Sequence, residues 1–146
     1  MKPVIQYYAH ILRKHSRPVD KVDPELVKDM ADFQGRCLGL AAVQLGVLAR
    51  LIMVRYGDEY LFLANPEIVK ASPKATIMRE GCLSIGYGRE YHPVPRSKRV
   101  KVRYMDIEGN QKTVKAEGIT ARALQHEIDH LDGKLIFDYE EAMRGR

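Results

Sequence analysis

No stretch of about 20 consecutive apolar residues occurs in this sequence, which excludes a membrane-spanning helix. The opening Met1-Lys2-Pro3-Val4-Ile5-Gln6-Tyr7-Tyr8 lacks the apolar core of a signal peptide, so the expected location is the cytoplasm. Cysteine is scarce: there are only Cys37 and Cys82, in dissimilar contexts. They make no disulfide framework, and in a reducing compartment both thiols stay available as ligands. Internal repeats, linkers and low-complexity tracts are absent too, so residues 1–146 read as a single domain.

What is present is an ordinary globular composition, 45% hydrophobic and 29% charged, in a chain of 146 residues that can bury a core. The net charge of +5 favours anionic surfaces such as RNA, but the basic residues are dispersed. Their one local run, Arg96-Ser97-Lys98-Arg99-Val100-Lys101-Val102-Arg103, alternates with apolar residues and reads as a solvated strand face. Neither DNA nor a membrane is an expected partner.

Residues 1 to 22 read as irregular, with His10 and His15 facing solvent. Asp23-Pro24-Glu25 then opens a helix, with Asp as N-cap, Pro at the first helical position and an acid in the first turn. Leu26, Met30 and Phe33 give it an apolar stripe to about Gln34, and Gly35 ends it. Small residues crowd Cys37-Leu38-Gly39-Leu40-Ala41-Ala42-Val43-Gln44-Leu45-Gly46, which implies close backbone approach. Arg50 to Tyr56 and Tyr60 to Ala64 read as a hairpin about Gly57-Asp58, ended by Asn65-Pro66. Ile68 to Met78 reads as extended and Gly86 to Pro95 as a loop. Arg99 to Asp106 and Gln111 to Glu117 form a second hairpin about Glu108-Gly109-Asn110. Lys134 to Asp138 is a short segment and Tyr139 to Arg146 a charged tail. The order of elements predicts an α+β fold: antiparallel sheets packed around a buried C-terminal helix, plus an N-terminal helix.

That buried helix carries the chemistry. Gln125-His126-Glu127-Ile128-Asp129-His130-Leu131-Asp132-Gly133 contains His-Glu-x-x-His, two imidazoles four residues apart on one helical face where both reach one cation. At about 100° per residue, residues 119 to 131 sort into three arcs. Ile119, Ala123, His126, Glu127 and His130 share one. Ala121, Leu124, Ile128 and Leu131 share an apolar one, and Arg122, Gln125 and Asp129 a polar one. Gly133 supplies the left-handed stop. A histidine pair at this spacing also occurs in satisfied cores.

Two histidines leave a tetrahedral ion short of a ligand. Asp132, Asp138, Glu140 and Glu141 lie downstream, but none stands at the spacing that common zinc peptidases use. Cys82 is the better candidate, a strong soft ligand beside a glycine that lets the backbone approach, although a free cysteine is usually a small buried hydrophobe.

Three segments together, Cys37-Leu-Gly-Leu-Ala-Ala-Val-Gln44, Glu80-Gly-Cys-Leu-Ser84 and Gln125-His-Glu-Ile-Asp-His130, resemble in order and spacing the three motifs of peptide deformylases. Ile11-Leu12-Arg13-Lys14 and Leu63-Ala64-Asn65-Pro66 extend the resemblance over nearly the whole chain. It implies that Cys82, His126 and His130 bind one divalent metal ion, ferrous iron in cells, with nickel, cobalt or zinc as workable substitutes. It implies Glu127 as acid/base, the Gln44 side chain and the Leu83 N–H as oxyanion donors, and Glu80 as a buried structural carboxylate partnered by Arg96. The activity implied is hydrolysis of the N-formyl group of formylmethionyl peptides, with transient contact with the ribosome and nascent chain. On this reading Leu38, Ile119 and Ala123 line an apolar slot for the methionine side chain, while Gly39 and Gly81 pair with the peptide backbone. Asp129 is read as structural, bonding nearby backbone.

The sequence departs from the family pattern in three places. Cys37 stands where the first motif normally has Gly, no Pro follows Ser84 within two residues, and the chain given stops soon after the third motif. Without the long C-terminal helix of many bacterial members, ribosome docking would use another surface. The rival readings are another metallohydrolase or peptidase with the same metal site, and a non-catalytic protein stabilised by its metal.

Overall fold

Leu51–Tyr56 (β2) begins with four apolar residues, Leu51 to Val54, and all four are buried. A strand apolar on both faces has to be covered on both. The computed structural model, which describes residues 1–74 and 76–144, shows how. β2 sits inside a five-stranded antiparallel sheet with β1 (Gly39–Ala41), β3 (Glu59–Ala71), β6 (Arg99–Met105) and β7 (Gln111–Glu117), in the order β1-β2-β3-β6-β7. One face, through Ile52 and Val54, packs with Leu63, Val102 and Val114 against Leu124, Ile128 and Leu131 of helix α2 (Gly118–Leu131). The other face, through Leu51 and Met53, is covered by Leu26 and Met30 of α1 (Pro24–Ala31) and by Phe33. A separate two-stranded ribbon, β4 (Thr76–Gly81) with β5 (Tyr91–Arg96), is tied to α2 by side chains, and α3 (Phe137–Arg144) packs on β5. The α+β architecture expected from the sequence is the one observed. Among the described residues no helix is long and apolar enough to cross a membrane.

The N-terminal signal of α1 works as read: Asp23 accepts a hydrogen bond from the Glu25 N–H at 3.0 Å. The helix stops at Ala31, and turns carry the chain to Gly35, short of the expected Gln34. Residues 1 to 22 are irregular apart from a 3₁₀ turn at His10–Arg13 that buries Leu12. His10 and His15 are exposed.

Five readings need correction or refinement. Asn65-Pro66 does not end a strand, because β3 runs through it with a bulge between Ala64 and Glu67. The Asn65 amide brackets the Val19 backbone with two bonds of 2.8 Å, holding its own backbone at φ 49°, so the turn-like dipeptide serves a kink within a strand. The segment read as a loop from Gly86 to Pro95 contains β5. Pro93 and Pro95 lie two apart, so both missing donors fall on one edge of a two-stranded ribbon, where proline is tolerated. The charged tail is helix α3, with Arg144 reaching back to Glu140 at 3.1 Å; Gly145 and Arg146 lie outside the described residues. Of the extended stretch 68–78, Ala71 ends β3 and Thr76 begins β4, with Ala75 outside the described residues. Finally, the basic run 96–103 is not one solvated face: Arg99 and Arg103 are exposed, but Arg96 is 2% exposed.

Candidate active site

α2 delivers His126 and His130 one turn apart, their ring centroids separated by 5.1 Å. Cys82 arrives from the tight turn after β4, closed by the Ile85 N–H donating to the Cys82 carbonyl at 2.9 Å. Its Sγ lies 3.3 Å from His130 Nε2. The three donor atoms all fall within 4.8 Å of one another, Cys82 and His130 buried and the His126 side chain 11% exposed. Three of the four downstream acids point elsewhere: Asp132 pairs with Arg50, Asp138 with Arg13, and Glu140 with His92.

The set suits a divalent transition-metal ion, since one thiolate and two imidazoles offer soft and borderline donors. His126 Nδ1 contacts Glu80 Oε1 at 2.9 Å, which fixes the ring and leaves Nε2 as the free nitrogen. Burial, reinforced by His126, holds His130 well below its ordinary pKa, in the neutral form that ligation requires. Among the described residues the buried His130 Nδ1 has no hydrogen-bond partner.

Around the histidines runs a charged network that the sequence reading captured only in part. Arg96 holds Glu80 with bonds of 3.0 and 2.9 Å, as expected. Arg122 adds a third at 2.6 Å, and Arg96 also binds Asp129 at 2.6 Å. Burial alone would raise the Glu80 carboxyl, but bonds from His126 and Arg96 hold it down at about 2. Asp129 therefore anchors a side chain and not, as expected, backbone; the Tyr139 hydroxyl donates to it as well. The polar arc of α2 is buried throughout its middle: Gln125 bridges both backbone groups of Ser97 at 2.9 Å. Arg122, Gln125 and Tyr139 were missed as supports. The signal was there, since three polar residues on the third arc of a doubly buried helix need partners.

Glu127 follows His126 on the helix and is 4% exposed, and Oε1 has no partner among the described residues. Burial raises its pKa to about 7. Gly39 of β1 presses against it, for a Cβ there would stand 2.7 Å from Oε2. Gln44 is oriented at both ends: Oε1 accepts from the Ala41 N–H at 2.9 Å, and Nε2 donates to Ser84 Oγ at 3.0 Å while lying 3.8 Å from Cys82 Sγ. The Leu83 carbonyl is taken by the Gln6 amide at 2.9 Å.

A cavity of about 460 Å³ opens over this cluster. Gly39, Gln44, Gly81, Cys82, Leu83, Ala123, His126 and Glu127 line it. Leu38 and Ile119 stand at its rim, 50% and 61% exposed. Cys37 lines it too, its Sγ 3.6 Å from the Phe33 carbonyl, with burial and then Glu127 pushing the thiol up to about 12. Arg96 and His130 lie behind the wall.

The sequence profile of the polypeptide deformylase family matches residues 1–144. The chain belongs to the peptide deformylase family. Peptide deformylases of Bartonella tribocorum and Thermotoga neapolitana are 40% and 41% identical to it, over 95% and 88% of this chain and 84% and 80% of theirs. The crystal structure of peptide deformylase from Thermotoga maritima has a TM-score of 0.86 at 35% identity, covering 95% of this chain and 97% of that one. An actinonin-bound class I type b peptide deformylase from Acinetobacter baumannii has a TM-score of 0.86 at 31% identity, covering 95% and 97%. As a deformylase, the chain is a metal-dependent hydrolase that removes the N-formyl group from nascent peptides. The donor cluster and the family together indicate a bound metal ion. A purely structural metal is thereby set aside.

Proposed function

We propose that Cys82, His126 and His130 hold the ion and that Glu127 moves the protons. The observation that carries this is the buried Glu127 carboxylate oxygen, without a partner among the described residues, on the same helix as the two histidines and facing one cavity with Cys82. When bound, the ion supplies Lewis acidity to the attacking water and the formyl oxygen. Glu127 accepts one proton from the water as its oxygen bonds to the formyl carbon. Gln44 Nε2, aimed by Ala41 and Ser84, and the Leu83 N–H donate to the formyl oxygen as it gains charge, each contribution about 3 kcal/mol. Glu127 then passes its proton to the amine nitrogen as the C–N bond breaks, giving formate and a free N-terminus.

Leu38, Ile119 and Ala123 would receive the methionine side chain at the cavity rim, with Gly39 and Gly81 leaving room for the peptide backbone. Glu80, gripped by Arg96 and Arg122, positions His126. We assign Fe2+ as the native ion, with Zn2+, Ni2+ or Co2+ accepted by the same donors. The reading places residues 1–146 in one deformylase domain acting in the cytoplasm on formylmethionyl chains, in passing contact with the ribosome.

The test is Glu127→Gln, assayed for metal content and for formate release from formyl-Met-Ala-Ser. Full metal occupancy with turnover reduced about a thousandfold is expected. Near-normal turnover would remove the assigned base.

A further inference from the structure

Lys70, Lys101 and Lys115 face one another across three strands. The register sets Lys70 of β3 opposite Lys101 of β6, and Lys101 opposite Lys115 of β7. Directly opposed Cβ atoms in an antiparallel sheet stand about 5 Å apart, and like charges so placed destabilise the pairing. Among the described residues none of the three lysines has an ion-pair partner. Arg99 is different, since Glu117 lies opposite it.

The lysine rung lines a second cavity, of about 790 Å³, shared with Tyr56 and Thr120. Arg99 and Glu117, opposite one another, line it as well and offset each other, so the excess positive charge is that of the lysines. The start of α2 adds to it: Thr120 lies in the first turn, where the backbone N–H groups point outward and receive no side-chain cap. A third, small cavity of about 250 Å³ connects this basic groove to the catalytic one. It shares Gly57 and Thr120 with the groove, and Leu38, Ile119 and Ala123 with the catalytic cavity. Thr120 precedes His126 by six residues, ~9 Å of helix rise. An extended peptide covers that in about three residues.

We propose that this groove binds an anionic stretch of the substrate peptide, the acidic side chains that follow the first three or so residues after the formyl group. The proposal rests on the deformylase reading of the adjoining cavity. An Asp- or Glu-bearing segment laid along the trough would meet the lysine rung and the open start of α2. The like-charge opposition is then relieved in the complex and acidic tails are favoured over neutral ones.

Two heptapeptides test it: formyl-Met-Ala-Ser-Ala followed by three Asp, or by three Asn, with formyl-Met-Ala-Ser as the short reference. At low salt the Asp peptide should show a KM roughly tenfold below the Asn peptide, at equal kcat, and the difference should shrink in high salt. Lys101→Gln combined with Lys115→Gln should erase the difference and leave the tripeptide kinetics unchanged. Equal KM values for both tails in the unmodified enzyme, or a preference that survives in the double variant, would overturn the proposal. So would tails treated alike while the variant loses binding to a single-stranded RNA oligonucleotide, which would assign the groove to nucleic acid. No formate from the tripeptide would instead sink the deformylase reading beneath it.

Discussion

Gly39 and Glu127 are in contact across β1 and α2 so closely that a methyl group at position 39 would stand 2.7 Å from Glu127 Oε2 and 2.8 Å from its Cγ. A strand fits beside the helix there because position 39 carries no side chain. The packing sets where the Glu127 carboxylate, the proposed acid/base, can stand.

Gly39→Ala should therefore move the Glu127 carboxylate without touching a ligand. The expected outcome is a fall in kcat/KM on formyl-Met-Ala-Ser of about a hundredfold with full metal content, since displacement of a catalytic group by about an ångström costs that much. Formate release and metal analysis on one preparation check it. Unchanged kinetics would show that Glu127 can retreat into free space.

Arg96 joins buried Glu80 to half-buried Asp129, bonding the first twice and the second once while it stacks 5.1 Å over the Tyr139 ring. Arg96→Met keeps much of the volume but takes two bonds from Glu80, which keeps Arg122 and His126, and one from Asp129, which keeps Tyr139. Breaking a buried pair from one side should cost about 3–5 kcal/mol, read as a lower urea midpoint at unchanged slope. Because Glu80 also steadies His126, metal affinity should fall with it, about 10-fold or more. A variant of native stability would mean that the carboxylates find other partners.

The contrast between Arg96 and Arg99 shows what the letters could and could not tell. Both sit in an alternating basic run, and only tertiary packing decides that one is buried under α2 while the other faces solvent. The metal cluster was legible because His126 and His130 are fixed by helical periodicity, and Cys82 by its chemistry and its motif. Both hairpin turns were legible from their glycines. The polar arc of α2 is legible as an arc, but its partners are not, because helical spacing says which residues share a side and not what covers it. Strand β5 was lost because proline argues against a strand locally, and only an edge position makes it acceptable.

Asp106 closes the β6–β7 hairpin. Its carboxylate accepts the Glu108 and Asn110 N–H groups at 2.9 Å each and lies 3.1 Å from Lys112 Nζ. Those contacts, the Asn110 bond foremost, hold it at about 2, below its unfolded value. A depressed carboxyl contributes stability that is complete above the unfolded pKa, ~3.9, and is lost as pH falls through the folded one. Asp106→Asn keeps an acceptor oxygen but no charge. Its melting temperature should lie below that of the unmodified protein at pH 6, with the gap closing between about pH 4 and 2. A gap constant across that window would mean that the Asp106 charge contributes nothing.

Gly133 ends α2 at φ +75°, a conformation costly for any residue with a Cβ, and an added methyl would stand 2.5 Å from the Arg13 carbonyl oxygen. The two segments are stitched together: the Ser16 N–H donates to the Leu131 carbonyl at 2.8 Å, and Arg13 donates to the Gly133 carbonyl at 3.2 Å and pairs with Asp138. Gly133→Ala must both strain the turn and push residue 13 away, so a loss of about 2–4 kcal/mol is expected in urea unfolding. The histidines lie one and two turns further back in the helix. Molecules that still fold, assayed well below the lowered melting temperature, should keep native kcat and metal stoichiometry. Loss of metal in the folded fraction would instead show that the N-terminal segment holds the catalytic end of α2 in register.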